Sequence, residues 1–399
     1  MKFVIEASKT PIYNRIAQAI TKNLLEMGHT AHLIDTNGFD NKTFIETINN
    51  IDLDFYISTN DYNFIQKFDP VKNKYNFQEI HHKTIFLHHD SSFCGPDSIE
   101  KIDLKIEALK EVKLRTFHFF IEESNIKFFN EIGIINCFPI DHASEFNLLE
   151  NNLCTKEHDI SFVGHLMSSL SIYPTNSIAL EHHLLALAYQ RLSHSSFAIQ
   201  PEIMRLLSDD FVKKSMTEKI HSNLAIFQFL MHEVTKLSMA YRGEIINKIS
   251  KFTVDIYGGD LSYGRIENPL MKLDKPNITY HPATIDYNES STIYKNSKIS
   301  LNISSLQFDS AVNNRIIDVV LSGGFIISDK RCDLSKVSKY ANFFTFETPE
   351  ELQYLIEFHL NPSNKKNHLD LKDAIYSEFK ERFTYKKVLG EMINTISSI

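Results

Sequence analysis

Residues 297–329, SKISLNISSLQFDSAVNNRIIDVVLSGGFIISD, constrain the fold more than any other stretch of this chain. Residues 299–303 are rich in β-branched side chains and flanked by Ser and Asn, which predicts a short buried strand. A polar loop over 304–313 follows, with no apolar periodicity. Asn314–Leu321 then reads as a helix, because Ile316, Ile317, Val320 and Leu321 cluster on one face. Ser322-Gly323-Gly324 should end that helix where a positive φ is needed, and 325–328 is the next buried strand. A strand–loop–helix–strand unit this short implies a parallel sheet. In such sheets ligands bind at the carboxyl ends of strands, against helix N-termini.

The polar residues of that helix leave two readings open. Asp318 lies opposite the apolar face, three positions after Arg315, so the pair is either a solvated surface contact or part of a ligand site. In the second reading the Asn313-Asn314 helix start meets a diphosphate and Asp318 accepts hydrogen bonds from a ribose. The segment resembles the donor-site signature of GT-B glycosyltransferases, specifically spore-maturation-type proteins with a glycosyl transferases group 1-like C-terminal half. Their pattern, close to Arg-x-x-Glu-x-x-x-x-Gly-Gly before an apolar strand and Asp, stands here as Arg315, Asp318, Gly323, Gly324 and FIISD. The carboxylate is one methylene shorter than the usual Glu.

With 399 residues the chain has room for two to three domains. A net charge of −8 argues against a nucleic-acid surface, which would be basic. Cys94, Cys137, Cys154 and Cys332 lie far apart without a CxxC spacing, as expected of reduced buried thiols and not of a zinc site. No apolar run approaches about 18 residues and MKFVIEASK holds no signal-peptide core, so a cytoplasmic protein is expected. Peripheral membrane contact and homo-oligomerisation stay open.

The N-terminal part reads as a Rossmann-like domain. Strands are expected at 2–7, 30–35, 53–58, 83–89 and 114–120, with a helix over 11–27. The turn SKTPIYN lacks G-x-G-x-x-G, so a dinucleotide is not expected there; such a domain is what a GT-B acceptor domain looks like. The strand KTIFLHH runs into His88-His89-Asp90, titratable groups at the carboxyl end of a parallel strand. Alternation sets His88 and Asp90 on one side and His89 on the other, which disfavours a three-ligand metal cluster. Either the histidines satisfy backbone carbonyls in a loop, or the turn faces the cleft and supplies an acid or base. The resemblance favours the second, making His88, Asp90 and His89 the catalytic candidates. Residues 145–157 read as the interdomain linker.

The second domain opens with HDISFVGH, similar to the family's Asp-x-x-Phe-Val-Gly. Gly164 would let the backbone approach a phosphate or sugar, and His165 either points into the cleft or lies on the surface. Several helical patterns fill the long stretch to 250 and read as an inserted helical subdomain at about 166–245. A strand over 253–257 ends at Gly258-Gly259-Asp260, a short one at 278–280 leads to His281, and 287–296 is a helix. In relatives the loop at 281–284 lies beside the nucleobase. A strand over 343–346, a helix over 348–360 and a closing helix complete the chain.

The resemblance implies an α/β, GT-B fold with an acceptor-side domain at 1–155, a nucleotide-sugar domain at 156–375 and a helix at 376–399 packing back on the first domain. It implies a metal-independent glycosyltransferase with a UDP- or GDP-linked sugar as co-substrate and a glycan, protein or lipid-linked acceptor. Gly164, His165, Gly258, His281, Asn313, Asn314, Arg315 and Asp318 would bind the donor. The second carboxylate of classical retaining relatives, eight positions before Asp318, falls on Ser310 with Asp309 beside it, so the stereochemistry is open. A sugar-nucleotide epimerase and a non-catalytic nucleotide-sugar-binding scaffold remain as alternatives.

Overall fold

The apolar runs predicted as strands pair into two separate sheets, each of six parallel strands. The computed structural model describes residues 1–60, 62–90, 93, 98–146, 157–167, 178–208, 222–258, 273–284 and 286–399. Its contacts divide the chain into two units: Met1–Ala143 with Arg205–His232 and Thr384–Ile399, and Ser144–Met204 with Glu233–Phe383.

The first unit holds β1 (Lys2–Glu6), β2 (Thr30–Ile34), β3 (Phe55–Ser58), a small antiparallel pair β4 (Phe68–Asp69) and β5 (Lys74–Tyr75), then β6 (Lys83–His88), β7 (Thr116–Phe120) and β8 (Cys137–Pro139). The main sheet runs β2-β1-β3-β6-β7-β8. β3 and β7 are buried along their whole length, as central strands covered on both faces must be. The helix Pro11–Glu26 starts on proline at its first turn, where no N–H is needed, and turns Ile16, Ala17, Ile20 and Leu24 to the sheet. Tyr385, Leu389, Met392, Ile393 and Ile396 of the helix Tyr385–Ser397 enter the same core.

The second unit holds β9 (His158–Gly164), β10 (Val254–Gly258), β11 (Ile278–His281), β12 (Ser297–Asn302), β13 (Ile326–Asp329) and β14 (Thr345–Phe346). Its order, β11-β10-β9-β12-β13-β14, reverses direction between β9 and β12. That reversal is the switch point at which doubly wound sheets bind ligands. The helix Asn314–Leu321 buries Ile316, Ile317, Val319, Val320 and Leu321, and Gly323 follows it at φ 78. Gly324 is small for a different reason from the one expected: a Cβ there would lie 2.9 Å from the Tyr294 carbonyl oxygen.

The structure departs from the sequence reading in several places. Residues 341–343 form a 3-10 turn, so the predicted strand at 343–346 shrinks to Thr345–Phe346. The closing helix expected over 376–399 is two: it breaks at Phe383-Thr384, and its first part belongs to a longer helix, Lys365–Arg382, which buries only Ile375 and Phe379, too few to leave an apolar stripe. Of the stretch read as an insertion at about 166–245, residues 205–232 group with the first unit. Cys332 is exposed, against the expectation of a buried thiol, whereas Cys137 is half-buried with its thiol pushed up to about 12 by burial. Cys94, Cys154, most of the linker and the Gly259-Asp260 turn lie outside the described residues. No described helix is long and apolar enough to cross a membrane.

Candidate functional site

β9 and β10 end side by side in Gly164 and Gly258, which pair in register. Their φ values are +150 and +119, and a Cβ on Gly258 would stand 2.9 Å from the Gly164 carbonyl oxygen. Neither position accepts a side chain without a shift of backbone. A Cβ on Gly164 would sit 3.0 Å from an Arg315 guanidinium nitrogen. The glycine and the arginine, 151 positions apart, therefore meet at the switch point.

Arg315 is held on two sides. Its guanidinium lies over the Phe162 ring, 5.3 Å from the centroid, and its Nη1 donates to Asn302 Oδ1 at 3.0 Å. Asn302 is the last residue of β12 and fully buried. Its Oδ1 also accepts from Asn313 Nδ2 at 2.8 Å, while its Nδ2 donates to Ser328 Oγ at 2.9 Å and Asp329 Oδ1 at 3.4 Å. Asp329 is fixed in turn by Ser304 N–H at 3.0 Å and by Arg331 Nη2 at 2.5 Å. Asn313 caps the helix by accepting from Ile316 N–H at 3.3 Å, and Asn314 is the first helical residue. This buried polar chain orients a cation and a helix N-terminus together, an arrangement suited to a phosphate group.

Asp318, one turn further on, is not solvated as its place opposite the apolar stripe suggests. It is 5% exposed, and its Oδ1 accepts from Ser144 Oγ and from Tyr287 OH, both at 2.6 Å. Phe146 stacks on Tyr287, ring centroids 3.7 Å apart. The covering groups come from distant segments, which no helical wheel can show. Asp309, the neighbour of the position expected to carry a second carboxylate, pairs with buried Arg191 and accepts from Ile199 and Gln200 N–H at 2.9 and 2.8 Å. It caps the start of the helix Ile199–Leu206.

His281 ends β11, two strands across from β9 and so about 10 Å away at the usual strand spacing. Its Nε2 meets Asp255 Oδ1 at 2.6 Å and its ring stacks on Tyr257 at 4.4 Å. Asp255 also meets His158 Nδ1 at 3.0 Å, and His158 Nε2 lies 3.0 Å from Tyr257 OH. Burial and the nearby Asp255 push the Tyr257 phenol up to about 12. His165 follows Gly164 half-buried, its carbonyl accepting from Arg242 at 3.4 Å.

The His88-His89-Asp90 group belongs to the other unit. The strand ends at His88 and the chain bends at His89, so alternation stops one residue earlier than expected. His88 is buried, stacked on Phe120 at 4.4 Å and on His118, whose Nδ1 is 3.0 Å from its Nε2. Burial first, then the His118 and Lys105 charges, holds its pKa well below the usual imidazole value. His89 stacks on His142, with Nδ1 to Nδ1 at 3.2 Å, and burial lowers it to about 4. Of the three, His88 is a core side chain, and Asp90 and His89 are half-buried. Among the described residues no three His, Cys, Asp or Glu come together as a metal-binding group.

Residues 242–394, which include the switch-point helix, match the family described as glycosyl transferase-like. Among solved structures, T4 phage BGT in complex with its UDP-glucose substrate matches with a TM-score of 0.56 at 11% identity, over 99% of each chain. Anabaena HepE in complex with UDP and glucose gives 0.55 at 10% identity over the full length of both chains. Sucrose-phosphate synthase from Thermosynechococcus elongatus gives 0.56 at 9%, also over both full lengths. The chain has a GT-B fold, and its residues 242–394 resemble the glycosyl transferase-like family. The matching family is described as glycosyl transferase-like, with no subtype specified, and no curated protein sequence matches the chain. Within this GT-B fold, Gly164, Gly258, Asn313 and Arg315 are brought together, Asp318 adjoins them, and His281 stands to one side. Asn302, Ser144 and Tyr287 escaped sequence reasoning; only Asn302, a polar residue closing a buried strand, left a local signal.

Proposed function

We propose that the protein is a glycosyltransferase whose donor is a nucleotide-diphosphate sugar held by the second unit. The observation that carries this reading is the meeting of Gly164 with Arg315 at the switch point beside an asparagine-capped helix start. Gly164 and Gly258 let the two strand ends and Arg315 pack closely together, and Arg315 with the helix N-terminus offsets the charge of a diphosphate. That charge-neutralising role is what a divalent cation serves elsewhere, so we assign donor binding and leaving-group stabilisation to these groups without a metal. Asp318 exchanges its Ser144 and Tyr287 hydroxyls for those of a ribose. His281, with Tyr257 behind it, lies on the side where a base would extend. UDP is the preferred nucleotide, by analogy with the UDP-bound structural relatives.

The first unit takes the acceptor, and Asp90 is the preferred acid–base group of its turn. His88 is neutral and enclosed, which removes it from that role. Incubation with UDP- and GDP-linked sugars together with a panel of sugar acceptors, followed for nucleotide release, tests the proposal. Release from one of the UDP-sugars above the uncatalysed rate is expected. Binding without release from any donor would contradict the transferase reading and leave a binding protein.

A further inference from the structure

The first sheet has its own switch point, between β1 and β3, and a cavity of about 590 Å³ opens there. Its walls come from the segments that leave β1, β2 and β3 at their carboxyl ends, with Tyr75 of β5 and Lys101 and Lys105 of the helix Ile99–Glu111. Glu6, the last residue of β1, lies beneath it, 1% exposed. Its carboxylate accepts from Tyr56 OH at 2.8 Å, from Ile65 N–H at 3.2 Å and from Phe64 N–H. Those bonds tie Glu6 to the scaffold and to the start of the turn Phe64–Gln66. It is the one acidic residue among the described residues lining the cavity, whereas Lys9, Lys67, Lys101 and Lys105 all line it. Lys9, Lys67 and Lys101 are exposed, and Lys105 is 2% exposed. Tyr62, 63% exposed, adds an aromatic face of the kind that packs against a sugar ring.

In a protein of net charge −8, the described lining of this one cavity holds four lysines against one carboxylate. We propose that this cavity binds the acceptor, and that the acceptor is a saccharide bearing an anionic group, a phosphate ester or a carboxylate. The inference rests on the transferase reading and names its acceptor class. Lysine ammoniums recognise such a group as point charges, and the aromatic wall with Asn63 and Gln66 takes the hydroxylated ring.

Calorimetric titration with glucose, glucose 6-phosphate and glucuronate, each with and without UDP, tests this. At least one acid sugar should bind tenfold or more tightly than glucose, and the tighter of the two identifies phosphate or carboxylate. The double variant K67E/K101E, changed only at exposed side chains, should weaken that binding tenfold or more while UDP affinity stays within twofold. Equal binding of glucose, no acid-sugar binding up to about 10 mM, or an unaffected double variant overturns the proposal. Displacement of the acid sugar by UDP also overturns it, because the cavity would then be a nucleotide site. Acid-sugar binding with no UDP binding to the wild type would instead defeat the transferase reading and leave the cavity as an anionic-saccharide site.

Discussion

Asn302 presents its carbonyl oxygen to both Arg315 and Asn313 because its amide nitrogen is engaged by Ser328 and Asp329. A buried amide with partners on both atoms has one orientation, and so it fixes where the guanidinium points. The same single-residue logic separates His88 from Asp90. His88 fills space between His118, Phe120 and Phe129, so His88→Ala should destabilise the protein by about 2–4 kcal/mol, as other large-to-small core replacements do. Asp90→Ala should leave the unfolding midpoint near wild type and reduce turnover roughly 10²–10⁴-fold. Denaturant melts and turnover, measured on both variants, check the pair. A stable but inactive His88→Ala would return the catalytic role to His88.

At the scale of elements, a strand–helix–strand segment carries its own instructions, whereas its partners do not. The helices Tyr287–Asn296 and Asn314–Leu321 lie where periodicity and caps place them, and most predicted strands hold to within a residue or two. The helix Lys365–Arg382 was illegible because its surface is polar almost all round. Arg315, Asp318 and the glycine pair were legible because one local motif holds them. Ser144 was not, since it reaches Asp318 from 174 positions away. Nor was the burial of His88, which depends on aromatic side chains from β7 and from the helix Glu123–Glu131. Strand pairing also makes the Gly164–Gly258 contact testable. Gly258→Ala puts a Cβ against the Gly164 carbonyl oxygen and forces the two strand ends apart. Nucleotide affinity should fall at least tenfold, with a loss of stability of about 1–3 kcal/mol from overpacking. Wild-type affinity in this variant would show that the strand ends do not shape the site.

For the whole molecule, protonation of one unit sets the response to acid. Burial depresses His88, His89, His118 and His142, with His118 near 3 and His89 near 4. An imidazole depressed in the folded state contributes stability that is present above the unfolded value, 6.5, and lost as pH falls through the folded one. Glu6 runs the other way: raised from 4.5 to about 7 by burial, it contributes most below 4.5 and loses that contribution as pH rises through 7. Four groups outweigh one, so the thermal midpoint should drop by about 5 °C or more between pH 6.5 and 4.5. Glu6 offsets part of that drop within the same window, and neither it nor these imidazoles adds a slope well above pH 7. Calorimetric scans across this range check the drop, and a midpoint unchanged down to pH 4.5 would mean that these imidazoles are not buried as described.

The donor site proposed at the second switch point bears on everything else, and a UDP titration in EDTA tests it most directly. Wild-type protein should bind UDP at one site with chelator present, and Arg315→Ala should bind it about 10- to 100-fold more weakly, the worth of a charge-assisted hydrogen bond to phosphate. UDP binding abolished by EDTA, or equal in the wild type and Arg315→Ala, would contradict the account.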